Sequence, residues 1–198
     1  MGGAILAVLA YAYLLGAEHD GLNPVNYFGY FTNLTSLLTA FLLIALGVFG
    51  AAGRPQPGGM VTVRAVMTTC MVIVGVIYNV LVPGTGTAPV WVSVTLHIVV
   101  PSLVVLDWLV GPGRRALPWS GLWWVLPYPL VWLTVVLLRG VTDGWVPYGF
   151  LLTSRGLGSL IAHIVGLLAA LIAVGALIWW TSRLPRFLRE EDPRLTAA

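Results

Sequence analysis

Six apolar runs dictate what this chain can become. A membrane span needs about 20 apolar residues at ~1.5 Å rise each. Six segments meet or approach that length: Gly2–Gly16, Tyr27–Phe49, Val61–Val82, Val90–Val110, Leu122–Leu138 and Leu157–Trp180. Only 9% of the 198 residues are charged, whereas a soluble domain carries roughly 25%. The connections are short and rich in Gly and Pro: GRPQPGG at 53–59, PGTGTAP at 83–89 and GPGRR at 111–115. None can hold an extramembrane domain. The expected fold is all-α, a polytopic six-transmembrane-helix bundle over residues 1–182, followed by a basic tail at 183–198. The first run resembles the apolar core of a signal peptide, but it lacks a positively charged leader. Leu15-Gly16-Ala17 is also a poor cleavage site, so a retained helix is expected. No internal repeat of the transporter type is visible.

The arginines orient such a bundle. All ten basic residues are arginine. Arg54, Arg64, Arg114, Arg115, Arg183, Arg186, Arg189 and Arg194 fall on one side of the alternating spans, and only Arg139 and Arg155 on the other. The positive-inside rule then puts both termini in the cytoplasm. Trp108, Trp119, Trp123, Trp124, Trp179 and Trp180 are expected to mark the inner interface, and Tyr27, Tyr30, Trp91, Trp145 and Tyr148 the outer one. The net charge of +3 is a matter of topology and headgroup contact, which argues against nucleic acid as a partner. The lone Cys70 excludes a disulfide within the chain and a cysteine-based metal site.

This topology converts sequence position into depth. Thr32 lies about five residues, roughly 7 Å, below the outer face, and His97 about seven residues, roughly 10 Å. His163, Tyr78 and Asn79 fall near the same level, with Arg139 just above. A histidine inside a span is costly and reads as a functional residue by default. Pro101, four residues after His97, cannot donate to the His97 carbonyl and is expected to kink the helix there. Thr32, Thr35, Ser36 and Thr39 share one helical face, a pattern that also suits close helix packing. His97 and His163 equally suit interhelical hydrogen bonding. Asp107, about 15 Å along the axis from His97, is placed at the opposite interface as a cap or ion-pair partner. Glu18, His19 and Asp20 read as a solvated outer loop rather than a metal site.

Three functions fit a layer of hydroxyl and imidazole groups. His97 can act as general base towards Thr32 or Ser36 in acyl transfer. A nucleophile in mid-helix has no free backbone N–H beside it. Its oxyanion donors would then be side chains, with Asn33, Ser36, Asn79, Tyr78 and Arg139 as candidates. Alternatively, His97 and His163 could ligate a haem, or the layer could serve a transporter or scaffold that passes a small solute.

Three stretches carry a resemblance: YFTNLTSLL at 30–38, LHIVVPSLVVLDWLV at 96–110, and YPLVWLTVVLLRGVTDGWVPYGFL at 128–151. Together they resemble the androgen-induced gene family of transmembrane threonine hydrolases, in its bacterial branch. The resemblance implies cleavage of fatty acid esters of hydroxy fatty acids or similar acyl esters, with Thr32 as nucleophile and His97 as base. Combined with the depth estimate, it gives an intramembrane lipid-ester hydrolase without cofactor or metal. Its substrate would be a fatty-acyl ester entering from the bilayer, and its location the bacterial inner membrane. Asn33, Ser36, Asn79, Tyr78, Arg139 and His163 are the candidates for oxyanion or substrate binding.

Overall fold

A computed structural model describes residues 1–20, 22–84 and 88–185, with residues 17–20 described by backbone alone. All regular structure among them is helical. The helices are α1 (Gly2–Asp20), α2 (Pro24–Gly29), α3 (Phe31–Ala51), α4 (Met60–Leu81), α5 (Val90–Val94), α6 (Val100–Val110), α7 (Pro127–Thr142) and α8 (Leu157–Thr181). A π-helical turn, Thr95–Val99, joins α5 to α6 into one long rod, and a 3₁₀ turn, Trp119–Val125, leads into α7. Five helical stretches are long and apolar enough to cross a membrane: Phe31–Ala51, Met60–Leu81, Val90–Val110, Trp119–Thr142 and Leu157–Thr181. The apolar part of α1, Gly2–Gly16, is shorter. The architecture fits an integral, multi-pass membrane protein.

Two sequence expectations change here. The run Tyr27–Phe49 is not one helix but breaks at Tyr30 into α2 and α3. The stretch Glu18–Asp20, expected as a loop, continues α1. The side-chain cluster Glu18, His19 and Asp20, residues 85–87 of the PGTGTAP connection and the tail from Arg186 onward lie outside the described residues.

Helix α4 is the centre of the bundle. Its span is 61% buried, against 11% to 28% for the other four. One core joins Ala65, Met67 and Cys70 of α4 to Trp108 of α6 and to Leu171, Ile178 and Trp179 of α8. A second joins Ile5 and Leu9 of α1 to Ala40 of α3 and to Leu96, Val100 and Val104 of the α5–α6 rod. Helix α1 runs antiparallel to α3. Gly2 leaves no room for a Cβ against the Ala40 carbonyl and Ile44, and the Tyr27 hydroxyl donates to the Leu9 carbonyl at 2.8 Å.

The arginine-bearing end is held by buried hydrogen bonds. Arg64, 4% exposed, pairs with Asp107 at 2.8 Å, donates to the Pro112 carbonyl at 2.7 Å and also reaches the Asp107 carbonyl. Gly111 has no room for a Cβ beside that guanidinium. Arg114 donates to the Thr181 carbonyl at 2.9 Å, and Arg183 to the carbonyls of Leu117 and Trp179. Asp107 is thus an ion-pair partner far from His97, as its position in the sequence suggests. Trp108 and Trp179 depart from expectation: both are fully buried, Trp108 donating to the Thr181 hydroxyl at 2.9 Å and Trp179 to the Pro118 carbonyl at 3.1 Å. Their indole N–H groups find partners inside the protein, so they are core residues and not interfacial anchors. Trp119, Trp123, Trp124 and Trp180 remain at least half exposed.

Candidate active site

The site begins with a break in the chain. Asn23 caps α2 by accepting the Asn26 N–H at 3.0 Å, and Pro24 occupies the first turn, where its missing N–H costs nothing. After Gly29 the chain is extended at Tyr30 (φ −68°, ψ 129°) and becomes helical again at Phe31. Two tryptophans fix this step. Trp132 donates to the Gly29 carbonyl at 2.8 Å, and the Trp145 ring occupies the space a side chain at position 29 would need.

Thr32 therefore sits in the first turn of α3, not mid-helix. The first turn of a helix has backbone N–H groups without partners inside the helix. Here the Leu34 N–H is taken by the Tyr30 carbonyl at 3.1 Å, which leaves those of Phe31, Thr32 and Asn33 outside the helical ladder. The expectation that only side chains can serve as oxyanion donors is corrected on this point. The Tyr148 phenol faces the same turn, against the Thr32 hydroxyl and the amides of Phe31 and Thr32, and burial pushes its pKa up to about 12. It is a neutral O–H at any ordinary pH.

His97 occupies the centre of the π-helical turn. Pro101 is expected to disturb the rod here, and a π-helical turn, a device often found at functional sites, ends just before it. The imidazole Nδ1 lies 2.8 Å from the Ser93 carbonyl oxygen. A carbonyl only accepts, so Nδ1 carries the proton and Nε2 keeps its lone pair. The ring is stacked on Tyr78, with centroids 3.5 Å apart and planes inclined by 12°. On the α4 side, a Cβ at Gly75 would come within 3.2 Å of the His97 carbonyl, so a glycine lets α4 approach this turn.

Thr32, Asn33, Tyr78, His97 and Tyr148 line one cavity of about 810 Å³ at the end of the bundle opposite the buried arginines. Helix α2 and the segment Trp145–Phe150 contribute to its outer wall, where Asn23 and Asn26 add polar groups. Its deep part is apolar: Ile164, Leu167, Leu168 and Leu171 repeat at helical spacing along one face of α8, and Ile73, Val74 and Ile77 come from α4. Among the described residues no hydrogen bond joins Thr32 directly to His97; both line the same cavity.

The other candidates are distributed differently. Asn33 donates to the Tyr27 carbonyl at 2.9 Å and so ties α2 to α3. Ser36 is fully buried outside the cavity, its hydroxyl without a partner, and Thr35 bonds the Tyr128 hydroxyl at 2.8 Å. Asn79 bonds back to the Gly75 carbonyl at 2.7 Å and is exposed. Arg139 stands behind the cavity wall, paired with Asp143 at 2.7 Å, donating to Asn26 Oδ1 at 2.8 Å and lying over the Trp145 ring. His163 donates to the Ser159 carbonyl at 2.7 Å and lines a separate, smaller cavity between α4 and α8. The two histidines do not face a common space. Tyr27, Tyr30, Trp145 and Tyr148, expected as interfacial anchors, all contribute to the cavity wall.

Tyr148 is the residue that sequence reasoning passed over. It lies in an aromatic outer loop, and only the packing of Trp145–Phe150 over α3 brings it to Thr32. The break at Tyr30 did leave a signal, since Asn23-Pro24 is a helix start and Gly29 a helix end. No family model, no curated protein and no solved structure matches the chain.

Proposed function

We propose that the protein is an intramembrane hydrolase of lipid esters in which Thr32 is the nucleophile and His97 the general base. The observation that carries this reading is the cavity itself. It combines a hydroxyl on the first turn of a helix, an imidazole whose tautomer leaves Nε2 as acceptor, and an apolar shaft suited to an acyl chain. Its substrate class follows from that combination: a fatty acid ester whose carbonyl stops at Thr32 while its chain fills the shaft. Fatty acid esters of hydroxy fatty acids belong to this class, in keeping with the resemblance to the androgen-induced gene family.

In the proposed reaction, Nε2 of His97 removes the Thr32 proton as Oγ1 attacks the ester carbonyl carbon. The two groups approach to hydrogen-bond reach, or are bridged by one water, when substrate binds. Negative charge grows on the carbonyl oxygen; the Tyr148 O–H is a donor of the kind that stabilises it, and the Phe31 and Thr32 amides, which donate to the Tyr148 oxygen, serve it where the oxyanion takes that oxygen's place. The imidazolium then protonates the departing alkoxide, and a water activated by the same Nε2 releases the fatty acid from Thr32. The Ser93 carbonyl orients the ring, so no carboxylate is required as a third member. We further propose a six-span topology in which α1 is the first span, both termini are cytoplasmic, and the membrane is the bacterial inner membrane. The clustering of arginines at one end of the bundle supports this orientation.

A fluorophosphonate probe applied to the purified protein tests the chemistry. Covalent labelling is expected on Thr32, absent in Thr32→Ala and slowed about 10²- to 10⁴-fold in His97→Ala. Undiminished labelling of Thr32→Ala would overturn the assignment.

A further inference from the structure

The smaller cavity, of about 290 Å³, is a groove between α4 and α8 lined by Ile77, Leu81, Ala162, His163, Gly166 and Leu167. Two of these residues, Ile77 and Leu167, also line the main cavity. These two side chains therefore border both spaces, one from each helix. The groove opens among exposed apolar residues, with Val80 69%, Ile161 58% and Val165 59% exposed. In a multi-pass membrane protein such a surface faces acyl chains, because lipid is as apolar as the side chains it meets. Nothing lies within 4 Å of a Cβ built at Gly166, so the groove is open at that point. His163 stands in its wall with Nδ1 donating to the Ser159 carbonyl, so that nitrogen is satisfied within α8.

We infer that this α4–α8 groove is a lateral portal through which the acyl chain of a bilayer lipid ester enters the cavity, gated by Ile77 and Leu167. Continuity carries the inference: lipid-facing surface, open groove, two shared side chains and apolar shaft follow one another. The Asn23 and Asn26 side is the polar end of the cavity, so chain and ester carbonyl arrive by the apolar route while water has the other. The portal rests on the hydrolase reading for the fate of the ester, but not for the passage of the chain.

Gly166→Phe places a ring in the groove from a position where its Cβ meets no neighbour. The test uses phosphatidylcholine vesicles doped with a fatty acid ester of hexadecanol that carries a diazirine midway along its acyl chain. After irradiation, adducts are mapped by peptide mass spectrometry. The wild type is expected to carry adducts at cavity residues such as Leu168, Leu171 and Ile73. Gly166→Phe should lose these at least about tenfold while keeping adducts on its lipid-facing surface. Ile77→Ala combined with Leu167→Ala should raise them, and thermal transitions report whether each variant is folded. Cavity adducts unchanged in Gly166→Phe, or absent from the wild type, overturn the portal. Fluorophosphonate labelling of the same samples separates the two readings: adducts without labelling leave the portal standing and reject the hydrolase, and labelling without cavity adducts does the reverse.

Discussion

At Thr32 the helix that carries the hydroxyl has only just begun, and this changes what the proposed nucleophile requires. A threonine in mid-helix would depend on side chains to stabilise an oxyanion. One in the first turn has backbone amides beside it that no helical carbonyl occupies. Tyr148 adds an O–H at the same place. Tyr148→Phe is expected to slow fluorophosphonate labelling of Thr32 at least about tenfold with little change in thermal stability, which would assign the phenol to chemistry and not to packing. Equal labelling rates would reduce it to a wall residue. Asp143 gives a second expectation at this scale. The Arg139 guanidinium beside it holds its carboxyl below the ordinary value near 3.8. A carboxyl lowered in the folded state contributes stability above its ordinary pKa and loses it as pH falls through the lowered value. Thermal transitions of the wild type should therefore drop on acidification below about pH 4, while Asp143→Asn should lack this component. The effect is small because the pair is solvent-screened.

Among the elements, the α5–α6 rod carries the proposed base and its positioning together. Pro101 lacks the N–H that would close a normal turn on the His97 carbonyl, and a π-helical turn closed by the Val100 N–H on the Thr95 carbonyl lies directly before it. Pro101→Ala restores that donor. The variant is expected to be at least as stable as the wild type, but to label more slowly, because relaxation to a regular helix rotates the imidazole away from Thr32. Full labelling would show that the turn is incidental. How much of this was legible follows from the same rod. His97 and Pro101 announce a disturbed turn by their spacing, and a lone histidine in an apolar run announces a reason for it. The widened turn and the Ser93 carbonyl partner could not be read, since proline forbids one bond without choosing the replacement. The pairing of Thr32 with His97 was approached through the family resemblance and through depth, and of the two only depth is read from position in the chain. Depth is a single coordinate, and it grouped His163 and Asn79 with a cavity whose walls exclude them. A helix's rotation about its own axis, which decides which neighbour a residue faces, is poorly encoded when nearly every residue is apolar.

For the whole molecule, the two ends of the bundle are built on opposite principles. One end is closed by Arg64, Asp107, Trp108, Arg114 and Arg183, each hydrogen-bonded to a neighbouring segment; the other encloses the cavity. Asp107→Asn leaves the buried Arg64 guanidinium without its counter-charge and is expected to destabilise the protein by about 3 kcal/mol. Arg64→Met combined with Asp107→Asn should recover much of that loss in a thermal or denaturant melt, because a charge left unpaired costs more than a pair removed. Neither change touches the cavity, so Thr32 labelling at a temperature where the variants are folded should be retained. The pinned end also has a mechanical meaning. With Arg64 pinned and α4 running about 20 Å from there to Ile77, a tilt of about 5° would move the far end by about 1.7 Å. The clearance at Ile77, where the two cavities meet, would thus depend on an angle set at the opposite end of the bundle.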